Sequence, residues 1–126
     1  MKRVIVLCLA VLLLLTACSS KKSKTKWPMS EQHEKYGRRA LEITDAYLDF
    51  EITAKEAHER LGELKAAEDT LPEDASEDEH LGNFLIVSSV SNLYHHFFFV
   101  SYGRKPASDI LEMRNSLAEL LGEKER

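Results

Sequence analysis

The chain has 126 residues, of which 44% are hydrophobic and 30% charged, and a formal charge of −4. Six of its 17 basic residues precede Trp27, leaving 11 bases against 21 acids from Trp27 onward, a charge of −10. Such acidity argues against nucleic acid as a partner, because phosphate contacts need clustered Lys and Arg, and the length suits one small domain.

Met1-Lys2-Arg3 is basic, Val4 to Leu15 is apolar and uncharged, and Leu15-Thr16-Ala17-Cys18 follows. A basic start, an apolar run of roughly 7–15 residues and a small-residue cleavage site read as a secretory signal. A spanning helix needs about 20 apolar residues, more than Val4 to Ala17 supplies. The alternatives are an ordinary signal peptide with an incidental Cys and an uncleaved N-terminal anchor.

Leu15-Thr16-Ala17-Cys18 closely resembles the lipobox of bacterial lipoproteins. The resemblance covers only the signal region. It implies that residues 1–17 are removed and that Cys18 takes a diacylglyceryl group as the new N-terminus. It also implies further acylation by palmitate-type chains and a place on the extracytoplasmic side of the cell membrane. Two or more acyl chains anchor stably, since each buried CH₂ contributes about 0.8 kcal/mol. Removing 17 of 126 residues leaves 109. The other cysteine, Cys8, lies in the removed segment. The mature chain then has no intrachain disulfide and no cysteine metal cluster, so its stability must come from a packed core.

Residues 18–29 read as the lipidated Cys and a basic tether carrying Lys21, Lys22, Lys24 and Lys26. Ser19 to Lys26 lacks apolar residues and reads as flexible. Its lysines either lie on anionic headgroups, at about 1 kcal/mol each, or only keep a solvated spacer extended. Trp27-Pro28 sits near the membrane interface or caps the domain.

The helical domain spans 30–126. Ser30 is the expected N-cap of a first helix reaching Leu48, with Glu31 and Glu34 in its first turn. Tyr36, Ala40, Ile43 and Tyr47 form an apolar stripe, with Leu41, Thr44 and Leu48 beside it. Thr53-Ala54-Lys55-Glu56 has capping-box form. It opens a second helix with Ala57, Leu61 and Leu64 as its stripe, and the short link predicts an antiparallel hairpin. Ile52 is placed to staple that helix start.

Glu68 to Ser76, with Pro72 and four acids, reads as a loop. Ser76-Glu77-Asp78-Glu79 predicts a second capping box and a third helix to about Tyr102. Its expected stripe is Leu81, Phe84, Leu85, Ser88, Asn92, His95, Phe98, Phe99 and Tyr102. Ile86, Val87, Val90, Leu93 and Tyr94 lie on the neighbouring face. A helix apolar nearly all round is expected to be central and buried on several sides. Two other readings are a poor transmembrane span over Asn83 to Tyr102 and a local strand over Phe97 to Val100. Gly103 is the expected left-handed C-cap, followed by Arg104 and Lys105 near the negative helix end. Pro106 or Ser108 opens a last helix with Ile110, Met113, Leu117, Leu120 and Leu121 as its stripe. The fold class expected is all-α, a small antiparallel bundle of about four helices.

No nucleotide loop, nucleophile elbow or zinc-protease helix motif is present in the sequence. His95 and His96 point about 100° apart on a helix and share a metal poorly. His33, His58 and His80 sit on separate elements, and His80 with Glu77 or Asp78 forces no metal site. The expectation is that His95 is a core residue with a hydrogen-bonded ring and that the other histidines are on the surface. The acidic run Glu73 to Glu79 lacks the ligand spacing and central Gly of an EF-hand, so helix capping explains it better. No cofactor, metal or catalytic residue is assigned.

The segment Ala40 to Ala57 carries the pattern ALxxxDxYLxxxITxxEA. It is similar to small uncharacterised helical proteins and lipoproteins of Gram-positive bacteria and their phages. That resemblance supports the hairpin and implies no chemistry. The reading that follows is a membrane-anchored, non-enzymatic domain binding a protein or peptide, with Tyr94, His96 and Tyr102 as contact candidates. A superinfection-exclusion lipoprotein of phage type and a solute- or metal-binding lipoprotein are the rivals.

Overall fold

The computed structural model describes residues 25–73 and 76–126. The signal segment, Cys18 and the tether up to residue 24 lie outside the described residues. Among those described, the chain forms four α-helices and no strand: α1 (Glu31–Leu48), α2 (Ala54–Ala66), α3 (Glu77–Ser101) and α4 (Ser108–Leu121). A single 3-10 turn, Glu68–Thr70, follows α2 within the expected loop.

Local chemistry sets most helix boundaries. Ser30 Oγ accepts from His33 N and starts α1. At Thr53 both halves of the capping box form, with Thr53 Oγ1 accepting from Glu56 N and Glu56 Oε2 accepting from Thr53 N. The box expected at Ser76 does not form. Glu79 N donates instead to the Ser76 carbonyl at 2.9 Å, which takes up the donor the hydroxyl needed. Glu77, Asp78 and Glu79 still lie in the first turn of α3, where the positive end of the helix dipole favours them.

The helices run up, down, up, down. Gly37 and Tyr47 of α1 meet Ile86 and Phe97 of α3 in the same order, so those two helices are parallel. Arg38 reaches the Leu121 carbonyl while Asp45 holds Arg114, so α1 and α4 are antiparallel. Each of the other helices contacts α3, whereas α2 and α4 do not touch. The core is Tyr36, Ala40, Leu41 and Ile43 of α1, Ala57 and Leu61 of α2, Ile86, Val90, Leu93 and Phe97 of α3, and Ile110, Leu117, Ala118 and Leu121 of α4. The stripes expected for α1, α2 and α4 are therefore the ones that pack.

For α3 the expected face is the wrong one. Asn83, Ile86, Val90, Leu93, His96 and Phe97 point inward. Leu81, Phe84, Phe98 and Tyr102 point outward and are exposed, as are Asn92 and His95. The helix is central, with all three other helices packed on it, but its outward face is not covered. It has no strand over Phe97 to Val100. Among the described residues no helix is long and apolar enough to cross a membrane. The expected core histidine is also shifted by one position: His95 is exposed, and His96 and His33 are buried. Burial lowers the His33 pKa, against a smaller opposing pull from Glu79 and Glu68.

The segment before α1 is fastened to the bundle. Lys26 N donates to the Leu120 carbonyl, Ser30 N donates to Asn83 Oδ1, and Met29 is buried, while Trp27 is exposed. A Cβ at Gly82 would overlap the Pro28 carbonyl oxygen, so only glycine lets that strap lie on α3. Gly82→Ala is expected to lower stability by about 1–3 kcal/mol. Thermal unfolding followed by circular dichroism checks it, and an unchanged midpoint would show that the strap is not held there.

Arg114 of α4 is buried and grips Asp45 of α1 with two hydrogen bonds, Nε to Oδ1 at 2.7 Å and Nη2 to Oδ2 at 3.1 Å. Burial alone pushes the Asp45 carboxyl up, but the hydrogen bonds from Arg114 and Arg126 outweigh it and hold the pKa below its ordinary 3.8. Arg114→Met leaves the half-buried carboxylate to Arg126 alone, and a loss of about 1–3 kcal/mol is expected in denaturant unfolding at pH 7. A depressed carboxyl pKa stabilises the fold above the unfolded value and ceases to do so as pH falls through the folded one. The gap between wild type and Arg114→Met should therefore close below about pH 4.

Candidate functional site

Three helix ends in this chain close with the same device, and one of them breaks its residue rule. After α3, Gly103 N donates to the Val100 carbonyl and Arg104 N to the Phe99 carbonyl, with Gly103 at φ 68°. After α4, Gly122 N donates to the Glu119 carbonyl and Glu123 N to the Ala118 carbonyl, with Gly122 at φ 70°. Both are Schellman motifs, in which glycine takes the left-handed position because it lacks a Cβ. After α1 the same two bonds run from Phe50 N to the Tyr47 carbonyl and from Glu51 N to the Ala46 carbonyl. Here the left-handed residue is Phe50, at φ 60°.

A non-glycine residue in that region carries backbone strain of about 1–2 kcal/mol. Packing does not offset it, because the Phe50 side chain is 96% exposed. The ring stands at the mouth of a groove of about 860 Å³. Tyr47, Leu48, Phe50 and Ile52 form one wall, and Ala107 and Leu111 at the start of α4 form the other. Ile52, just before the N-cap of α2, is partly buried against the core.

Glu51 and Glu56 also line the groove and make it acidic at the rim. Glu56 is tied to Thr53 N by the capping box. No histidine or cysteine is among the described lining residues, so the arrangement suits an apolar group with positive charge beside it. Among the described residues no three His, Cys, Asp or Glu side chains converge as a metal site.

The residues singled out from the sequence fall elsewhere. Tyr94 is half-buried and stacked on His58, with ring centroids 4.3 Å apart, and Lys65 Nζ lies 5.5 Å from its ring. Tyr102 is exposed and packs on Phe98 at 4.9 Å. Phe98 also meets His58 at 5.4 Å, so Tyr94 and Tyr102 end one aromatic row on α2 and α3. His96 does not belong to it. Its ring is buried between α3 and α4, with Nε2 3.5 Å from the Pro106 carbonyl and 3.8 Å from Asp109 Oδ2. Cys18 lies outside the described residues.

Periodicity and motifs do not reveal the groove, although the sequence holds one signal of it. A helix ending at Leu48-Asp49 calls for glycine at the next position, and Phe50 stands there.

Comparison with protein-family models, with curated proteins and with solved structures returned no match to the chain.

Phe50→Gly should raise stability by about 1 kcal/mol by relieving the left-handed strain. A urea titration reads it, and a variant no more stable than wild type would mean that the position carries no strain.

Proposed function

We propose that the chain is a membrane-anchored extracytoplasmic lipoprotein whose helical domain binds a protein or peptide partner without catalysis. Anchoring through Cys18 is supported by the basic start, the apolar run and Leu15-Thr16-Ala17-Cys18. Partner binding is supported above all by Phe50, a fully exposed aromatic ring held in a strained backbone at the lip of an apolar groove. Strain that stability does not repay collects at sites kept for another purpose.

The groove lies at the end of the bundle opposite the strap that leads in from the tether. Lys26 meets the end of α4, whereas the groove is formed at the end of α1 and the start of α4. The 18 residues of α1 put about 27 Å between the two ends. The groove therefore stays clear of the point of attachment. Its apolar lining and the carboxylates of Glu51 and Glu56 suit a segment with apolar anchors flanked by Lys or Arg.

Two measurements test the proposal in the full chain. Cys18→Ser should abolish incorporation of labelled palmitate and release the protein from the membrane fraction, and persistence of both overturns the anchor. A photo-crosslinking residue at position 50 should give a discrete protein adduct in intact cells, and Leu111→Glu should remove it. Adducts with lipid alone, or none, sink the binding reading and leave the anchor untouched.

A further inference from the structure

The outward face of α3 carries a second apolar stripe, back to back with the one that packs inside. Leu81, Phe84 and Leu85, Ser88, Ser91 and Asn92, His95, Phe98 and Phe99, and Tyr102 recur at alternating steps of three and four. That is a 3.5-residue repeat held through 22 residues, the period at which one helix keeps a seam turned toward another. No Asp, Glu, Lys or Arg occurs from Leu81 to Tyr102. Leu81 is 46% exposed, Phe84 61%, Phe98 40% and Tyr102 67%. In a domain of charge −10, a solvent-facing helix side with no charged residue of its own is the exception; lysines reach it only from its edges, Lys65 at Ser91 and Lys105 over the Phe99 ring.

We infer that this face is a self-association surface, closed by the α3 of a second copy of the chain running antiparallel to the first. The spacing of the stripe reads alike from both ends. Leu81, Phe84 and Leu85 at one end match Tyr102, Phe99 and Phe98 at the other, and Ser88 matches His95 around a centre at Ser91 and Asn92. A two-fold axis crossing α3 between Ser91 and Asn92 places Leu81 against Tyr102, Phe84 against Phe99 and Ser88 against His95, each twice. This is what an isologous interface requires. Ser88 and Asn92 near the centre are small, with Lys65 of α2 held beside them on the Ser91 hydroxyl at 3.1 Å, and bulky side chains meet at both ends. The lack of charge fits a like face better than an unlike partner, since charged flanks are what select a different helix.

The seam is about 33 Å long and about 10 Å wide, so each copy contributes several hundred Å². That is the scale of a weak, reversible dimer rather than an obligate one. The surface is separate from the groove and independent of it.

Sedimentation of the full chain in detergent, over a concentration series, decides the matter. A reversible monomer–dimer equilibrium is expected. Phe84→Arg, at an exposed position, should raise the dissociation constant about tenfold or more, with the helical circular dichroism signal and thermal midpoint unchanged. Leu81→Arg or Tyr102→Glu alone should weaken the dimer, and the double variant should restore it, because only the antiparallel register brings the two new charges together. A chain that stays monomeric at high concentration overturns the inference. So does a dimer indifferent to Phe84→Arg, or a double variant no better than the singles. A monomer that binds phosphatidylcholine vesicles through Phe84 would assign the face to lipid and overturn it equally.

Discussion

Every other helix of the domain depends on covering the inner stripe of α3. Ile86, Val90, Leu93 and Phe97 have no contact with solvent. Three helices cover them together. The first, α1, lies along the stripe in parallel, and α2 and α4 flank it without meeting each other. Burying an aliphatic or aromatic side chain of this size contributes about 1.5–3 kcal/mol, so the four together outweigh any polar contact in the domain. The polar links then select the arrangement. Arg114 with Asp45 holds α4 to α1, and Ser30 with Asn83 holds the chain entry to α3. With α2 and α4 flanking the inner stripe, the outer face of α3 is touched only at its edges, by His58 and Lys65 of α2 and by Lys105, and Leu81, Phe84 and Tyr102 stay exposed.

The fold is legible where local chemistry and amphipathicity point the same way. Ser30 and Thr53 set helix starts through a hydroxyl, and Tyr36, Ala40 and Ile43 define an inner side because charged residues mark the outer one. On α3 that contrast is missing. With no charge between Leu81 and Tyr102, two stripes compete and periodicity alone does not say which turns inward. The shape of the neighbours decides. Gly37 of α1 leaves room for Ile86, with a Cβ there only 3.1 Å from Ile86 Cδ1. Choosing the other stripe rotates the helix and exchanges His95 for His96, because adjacent residues sit about 100° apart. The contact residues drawn from that helix are displaced for the same reason: Tyr94 and His96 turn toward neighbouring helices, and only Tyr102 stands clear.

The groove is illegible for a different reason. Its walls come from the end of α1 and the start of α4, far apart in the chain, and no repeat or motif marks such a meeting. What the chain does carry is one residue that departs from a local rule. The three Schellman closures act as an internal comparison: the same backbone bonds and similar φ values, with glycine twice and phenylalanine once. A departure from local consistency without a stabilising contact marks a place held for a purpose other than folding.

The two open surfaces differ in what they ask of a partner. The outer face of α3 is long, without charged residues of its own and symmetric in its spacing, and a second α3 satisfies all three properties. The groove is short, concave and edged with Glu51 and Glu56, so a second copy of this acidic domain would bring more negative charge toward it. Like charges brought together cost free energy, most of all where water is displaced. Self-association through the groove is therefore disfavoured where self-association through α3 is not. The bundle, with three helices packed against the inner half of α3, leaves its outer face available to its own kind and its end available to something else.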